Sequence, residues 1–296
     1  MFKSGFIGII GRPNVGKSTL LNALVGEKIA ITTSKPQTTR NRIMGIRNQA
    51  EGQMIFMDTP GIHQADSPLN RQMVHIAKDT FGRADVLLLL VDATASVHTA
   101  DTSIIKSLPE GAMPVILAIN KIDLVKKTQL LPLIDQLHPL HPFAAVVPLS
   151  ALTGDGLLRL VSEILQALPE GPAYFPEDTM TDGSERFIAA EIIREKIILL
   201  TRQEIPYATA VIIDAFKEDE RKHLIRIQAT IHVEKDSQKG ILIGKKGAKL
   251  KEIGTRARTD LEQFFNAKIY LELFVRVQKN WTHDEKMLKE FGYFHK

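Results

Sequence analysis

The stretch GRPNVGKST, Gly11 to Thr19, has the residue types and spacing that hold phosphate, G-x-x-x-x-G-K-[ST], with an apolar run before it and an amphipathic stretch after it. Gly11 and Gly16 let the backbone curl so that its N–H groups and the amino end of the following helix point at phosphate oxygens. Lys17 supplies a positive charge at β- and γ-phosphates, and the Ser18 hydroxyl is a hard oxygen ligand suited to Mg²⁺. Arg12, Pro13, Asn14, Val15 and Thr19 complete the loop.

A second cluster, DTPGI, follows the apolar run Met54 to Met57. Asp58 at the end of that strand is placed to hold Mg²⁺ through water, with Thr59 and Pro60 forming the turn and Gly61 offering an N–H to a γ-phosphate. Ile62 stands where a water-orienting glutamine could be; an aliphatic side chain can neither orient a water nor accept its proton. The attacking water is then left to backbone groups or to a partner.

Two further loops bear on the base. NKID, Asn120 to Asp123 (Asn120, Lys121, Ile122, Asp123), follows the run Val115 to Ile119, and Ser150 with Ala151 follows Ala144 to Leu149. The Asp123 carboxylate can accept both N–H groups on the pyrimidine edge of guanine, a pair adenine does not offer. The four clusters together point to GTP and GDP. Near the carboxyl end, GILIGKKGAKLKEIG contains G-x-x-G at Gly244 to Gly247. Glycines let a nucleic-acid backbone approach, with Lys245 and Lys246 at its phosphates and Lys249 and Lys251 on the following helix.

The elements that must position these clusters show two patterns. From Phe6 to about Leu168 continuous aliphatic runs alternate with amphipathic stretches, which predicts a mostly parallel sheet with helices on both faces and ligands beyond the carboxyl ends of its strands. Residues 168–185, rich in proline, glycine and acids, read as a linker. A helix is expected at about 185–202, and period-two alternation over 225–234 and 269–277 predicts a sheet with one buried face, so the second domain is a small α+β unit.

Composition agrees. The 296 residues suffice for two domains, 44% hydrophobic and 24% charged content is ordinary for a globular protein, and no aliphatic run approaches the roughly 20 residues of a membrane span. The lack of cysteine excludes disulfides and thiolate chemistry, and a cytoplasmic protein is the simplest expectation. Residues 1–179 carry 16 basic and 16 acidic side chains; residues 180–296 carry 22 and 18, so the net charge of +4 lies wholly in the second part. Eight basic residues against three acids over 234–258 suit a polyanion partner.

The first domain resembles a translation-factor-type GTPase, and KPQTTR, Lys35 to Arg40, is similar to the first switch of the Era family. With G-K-K-G in the order helix, strand, strand, helix, loop, helix, strand, the second domain resembles a type II KH domain. The resemblance implies an α/β P-loop GTPase domain (1–170), a linker (171–184), an α+β type II KH domain (185–280) and a C-terminal helix or tail (281–296). It implies that Thr39, or its neighbour Thr38, closes over Mg²⁺ and the γ-phosphate, so that Lys17, Thr39 and Gly61 serve catalysis and Ser18, Thr39 and Asp58 serve the metal. In the wider group an asparagine at the position of Asn14 helps hold K⁺; the alternative is that Asn14 bonds within its own loop. The implied activity is that of a GTPase, monomeric, binding 16S ribosomal RNA near its 3′ end and acting in 16S rRNA processing and 30S subunit assembly, with an association at the inner face of the cell membrane. Two other classes remain as comparisons. A small-molecule P-loop kinase is opposed by Asn120 to Asp123; an RNA-binding scaffold with a relic nucleotide site is opposed by the complete set Lys17, Ser18, Asp58 and Asp123.

Overall fold

The computed structural model describes residues 1–35, 38–61, 68–95, 97–109, 111 and 113–293. It forms two compact units, one of Met1–Ala30, Thr39–Ala65 and Met73–Asp182, the other of Ile31–Thr38, Asp66–Gln72 and Gly183–Lys296.

Elements run in the order β1 (Lys3–Gly11), α1 (Lys17–Val25), β2 (Ile43–Gln49), β3 (Gly52–Asp58), α2 (Pro68–Asp79), β4 (Val86–Asp92), α3 (Thr99–Lys106), β5 (Val115–Asn120), α4 (Lys127–Leu137), β6 (Ala145–Pro148) and α5 (Leu157–Ala167). Among the described residues six strands form one sheet in the order β2-β3-β1-β4-β5-β6, parallel except for the β2–β3 hairpin. The aliphatic runs become its central strands because both faces are covered: Ile7, Phe56, Leu88 and Ile116 are fully buried. Register aligns the carboxyl ends, with Asp58 beside Ile9 and Asp92 beside Asn120.

The edge strand β2 was not legible as an aliphatic run. Ile43 pairs with Asp58 across the hairpin, which brings the chain just after Thr39 back to the end of β3. Residues 170–181 cover this edge: the Ile46 N–H donates to the Met180 carbonyl (2.8 Å), the Thr181 hydroxyl to that of Met44 (2.6 Å), and Lys3 bridges to Glu170. Buried Gln53 accepts from the N–H groups of Tyr174 and Phe175 (2.7 and 3.0 Å) and donates to the Phe175 carbonyl (2.8 Å). A segment of linker-like composition thus satisfies edge groups that would otherwise be open to pairing.

The second unit contains α6 (Glu185–Leu200), β7 (Ala210–Asp219), β8 (Leu224–Val233), α7 (Asp236–Ile243), α8 (Ala248–Phe265), β9 (Lys268–Val277) and α9 (Glu285–Glu290). Strand β8 is central, antiparallel to β7 and parallel to β9. Its alternation is realised as expected: Ile227, Ala229 and Ile231 are buried with Ile192, Ile193, Ile253, Ala257 and Leu261 of the helices. Ser184 caps α6 by accepting from the Phe187 N–H (3.2 Å). Residues 31–35 are bound within this unit, where the Thr32 N–H donates to Glu195 (3.1 Å) and Lys35 Nζ to the carbonyls of Ile198 and Thr201 at the end of α6. Among the described residues no helix is long and apolar enough to cross a membrane.

Candidate functional site

Lys17, the first residue of α1 after the loop that follows β1, is buried, with Nζ donating to the carbonyls of Gly11 (3.1 Å) and Arg12 (2.9 Å). Burial lowers its pKa to about 8, partly offset by the nearby Asp58 carboxylate. The ammonium is therefore poorly solvated and faces a place where only an anion would stabilise it fully.

Three oxygens converge beside it. Ser18 Oγ lies 2.6 Å from Asp58 Oδ2 and 2.8 Å from Thr39 Oγ1, and Thr39 Oγ1 lies 3.3 Å from the same carboxylate oxygen. Asp58 is fully buried, among the described residues its other oxygen has no hydrogen-bond partner, and burial raises its pKa. A compact set of hydroxyls around a buried, incompletely satisfied carboxylate fits a hard divalent cation such as Mg²⁺. Thr38 points elsewhere: its hydroxyl lies 2.6 Å from that of Thr33 and donates to the Lys35 carbonyl (2.7 Å). Gly61 abuts the phosphate loop, where a Cβ would come within 2.7 Å of the Pro13 backbone nitrogen, so only glycine fits. Thr59 anchors the same turn through the Ile9 carbonyl (2.9 Å). Ile62 lies outside the described residues.

The loop after β5 is fastened to the phosphate loop. Asn120 donates to the Val15 carbonyl (2.8 Å) and accepts from the Ala151 N–H (2.9 Å); Lys121 Nζ donates to the Asn14 carbonyl (2.8 Å) and pairs with Asp92 at the end of β4 (2.5 Å). Asn14 and Lys121 both have left-handed backbone (φ 64° and 68°), a costly conformation retained where surrounding bonds hold it. Asp123 follows in the turn Ile122–Leu124 with its carboxylate exposed, while Ser150 is buried and its Oγ accepts from the Thr153 N–H (3.1 Å). Strand ends thus bring together the four clusters, as the sequence pattern predicts. The pattern missed Asp92 and a second anchor, Asp101, whose carboxylate holds Arg12 (2.7 Å). Neither lies in a recognisable motif.

In the second unit the G-K-K-G turn joins α7 to α8. Gly244 (φ 70°) could not bear a Cβ, which would meet Lys249 Cβ at 2.7 Å, and Lys246 is left-handed (φ 52°), projecting the turn outward with Lys245 and Lys246 exposed. Beside it an open groove of about 450 Å³ runs between α8 and β9, floored by Leu250, Ile269, Leu271 and Leu273 and edged by Lys251, Arg258 and Tyr270. Leu250 keeps the helical spacing of core positions but lines this groove. Not all the positive charge is available: Lys249 and Arg256 pair with Glu252 (2.9 and 2.8 Å) and Arg258 with Glu262 (3.7 Å).

Residues 6–121 match the family model described as 50S ribosome-binding GTPase, and 204–282 match the KH domain. Over 293 residues the chain is 66% identical to GTPase Era of Syntrophus aciditrophicus, covering 99% of this chain and 96% of that protein. The chain belongs to the Era family of GTPases. GTPase Era of Geobacter metallireducens is 56% identical, with 99% and 98% covered. Among solved structures, Era in complex with MgGDPNP and nucleotides 1506–1542 of 16S ribosomal RNA is 44% identical with a TM-score of 0.96 over the whole of both chains. A variant of Aquifex aeolicus Era bound to GDP·AlF₄⁻ gives the same identity and TM-score over 99% of this chain and 100% of its own. The P-loop GTPase fold followed by a KH domain is therefore the Era-family architecture.

Proposed function

We propose that the protein is a GTP-binding and GTP-hydrolysing switch that binds 16S ribosomal RNA near its 3′ end through the KH groove and acts in 16S rRNA processing and 30S subunit assembly. The observation that carries the nucleotide part is the convergence of Ser18, Thr39 and Asp58 beside buried Lys17. Mg²⁺, when bound there, supplies positive charge to the β- and γ-phosphates. Lys17 adds its own charge to the same oxygens, and the Thr39 hydroxyl and Gly61 N–H sense the γ-phosphate. Asn120 and Lys121 fasten the base loop to the phosphate loop so that Asp123 can take the guanine edge. Ser150 and Ala151 close the other side. Loss of the γ-phosphate removes the reason for Thr39 and Gly61 to stay closed, which is the switch.

Support for the RNA part comes from the exposed Lys245 and Lys246 above an apolar groove, a combination that takes about four unstacked nucleotides. The RNA-bound Era relative supports 16S rRNA as partner. Asn14 is proposed as a K⁺ ligand on the resemblance to the wider group of GTPases; its backbone is left-handed (φ 64°). A monomer in the cytoplasm is the setting; association with the inner membrane face rests on family resemblance alone. Titration with GTP and ATP, followed by turnover with and without an RNA of the 16S 3′ end, tests the reading. Equal affinity for both nucleotides would refute the guanine site, and absence of RNA binding would refute the KH assignment.

A further inference from the structure

Outside the four nucleotide clusters, one buried charge has a single partner. Asp101, on the first turn of α3, is fully buried, and its Oδ1 accepts from Arg12 Nε at 2.7 Å; among the described residues its Oδ2 has no hydrogen-bond partner. A lone buried carboxylate is costly, so its pairing with the guanidinium is strongly maintained. Arg12 is the second residue of the phosphate loop, and its other end is also engaged: its carbonyl accepts from Lys17 Nζ at 2.9 Å. The chain of contact therefore runs from α3 through Asp101, the Arg12 side chain and the Arg12 peptide to the ammonium of Lys17.

We propose that Asp101 is a positioning residue for GTP hydrolysis, which through Arg12 fixes the carbonyl that aims Lys17 at the phosphates. This rests on the reading of Lys17 as the phosphate-binding lysine. The Arg12 carbonyl belongs to the Arg12–Pro13 peptide, so its direction follows the backbone of Arg12, the residue whose side chain the ion pair holds. The ion pair anchors that residue from 89 residues away in sequence. Release of Arg12 would let its peptide turn, and Lys17 would lose one of its two carbonyl acceptors.

The pair can be removed without leaving a buried charge. Arg12→Met alone strands the Asp101 carboxylate and should lower the melting temperature; the double variant R12M/D101L restores apolar packing and should melt close to wild type. If the role is positioning, the double variant still hydrolyses GTP about tenfold more slowly than wild type in single turnover at saturating GTP. Asp101→Asn, which keeps the shape and an acceptor oxygen but loses the charge, should also be slowed and guards against a double variant that does not fold. Wild-type rates in either folded variant would overturn the proposal. Lys17→Ala run in parallel separates the two readings. If it too retains the wild-type rate, the lysine assignment itself fails; if it is inactive while the double variant keeps the wild-type rate, only the positioning role fails.

Discussion

Raising the pH from 7 to 9 should weaken nucleotide binding through Lys17 alone. In the nucleotide-free fold burial lowers this lysine to about 8. At pH 7 roughly 90% of the molecules carry the ammonium, and at pH 9 roughly 10%. Bound phosphates favour the charged form and raise the pKa in the complex, so binding takes up a proton above pH 8 and affinity falls as pH rises. The expected loss between pH 7 and pH 9 is about tenfold, or about 1.4 kcal/mol, provided the bound lysine stays protonated throughout. The measurement is calorimetric or fluorescence titration with GDP and Mg²⁺ at pH 7, 8 and 9, for wild type and Lys17→Arg. Arginine stays protonated across this range, so the variant reports the titration of the nucleotide and of every other group. A wild-type slope equal to that of the arginine variant would refute the lowered lysine.

Asp123→Asn should weaken GTP binding by roughly 2 to 4 kcal/mol and shift preference toward xanthine nucleotides, measured by titration with both; unchanged GTP affinity would remove the base assignment. Changing Lys245 and Lys246 to Asp should abolish binding of the 16S 3′-end RNA in gel shifts while GTP turnover without RNA stays at the wild-type rate, because the turn lies in the second unit. Single-turnover hydrolysis at matched ionic strength should be faster in KCl than in NaCl for wild type and indifferent to the cation for Asn14→Ala; equal wild-type rates in the two salts would reject the K⁺ role.

Residue order alone determined the parts of this protein that obey local rules. Strands β1, β3, β4 and β5 contain continuous apolar runs because a parallel sheet covered on both faces buries both sets of side chains, and the alternation in β8 and β9 records a sheet with one wet face. The phosphate loop and the G-K-K-G turn are legible because close approach of a backbone needs glycine at set intervals, and spacing survives in the sequence. Strand β2 hid because it is an edge with Arg47, Asn48 and Gln49 at its end, stabilised by residues 170–181 far along the chain. The directions of Thr38 and Thr39 needed the fold: adjacent residues carry the same hydroxyl, and only in space does one turn to Thr33 and Lys35 and the other to Ser18 and Asp58. Asp92 and Asp101 were equally silent, since a carboxylate acquires its meaning from a cation brought to it in space. Lys121 reaches Asp92 from 29 residues on, and Arg12 reaches Asp101 from 89 residues before, distances over which no periodicity or motif carries information.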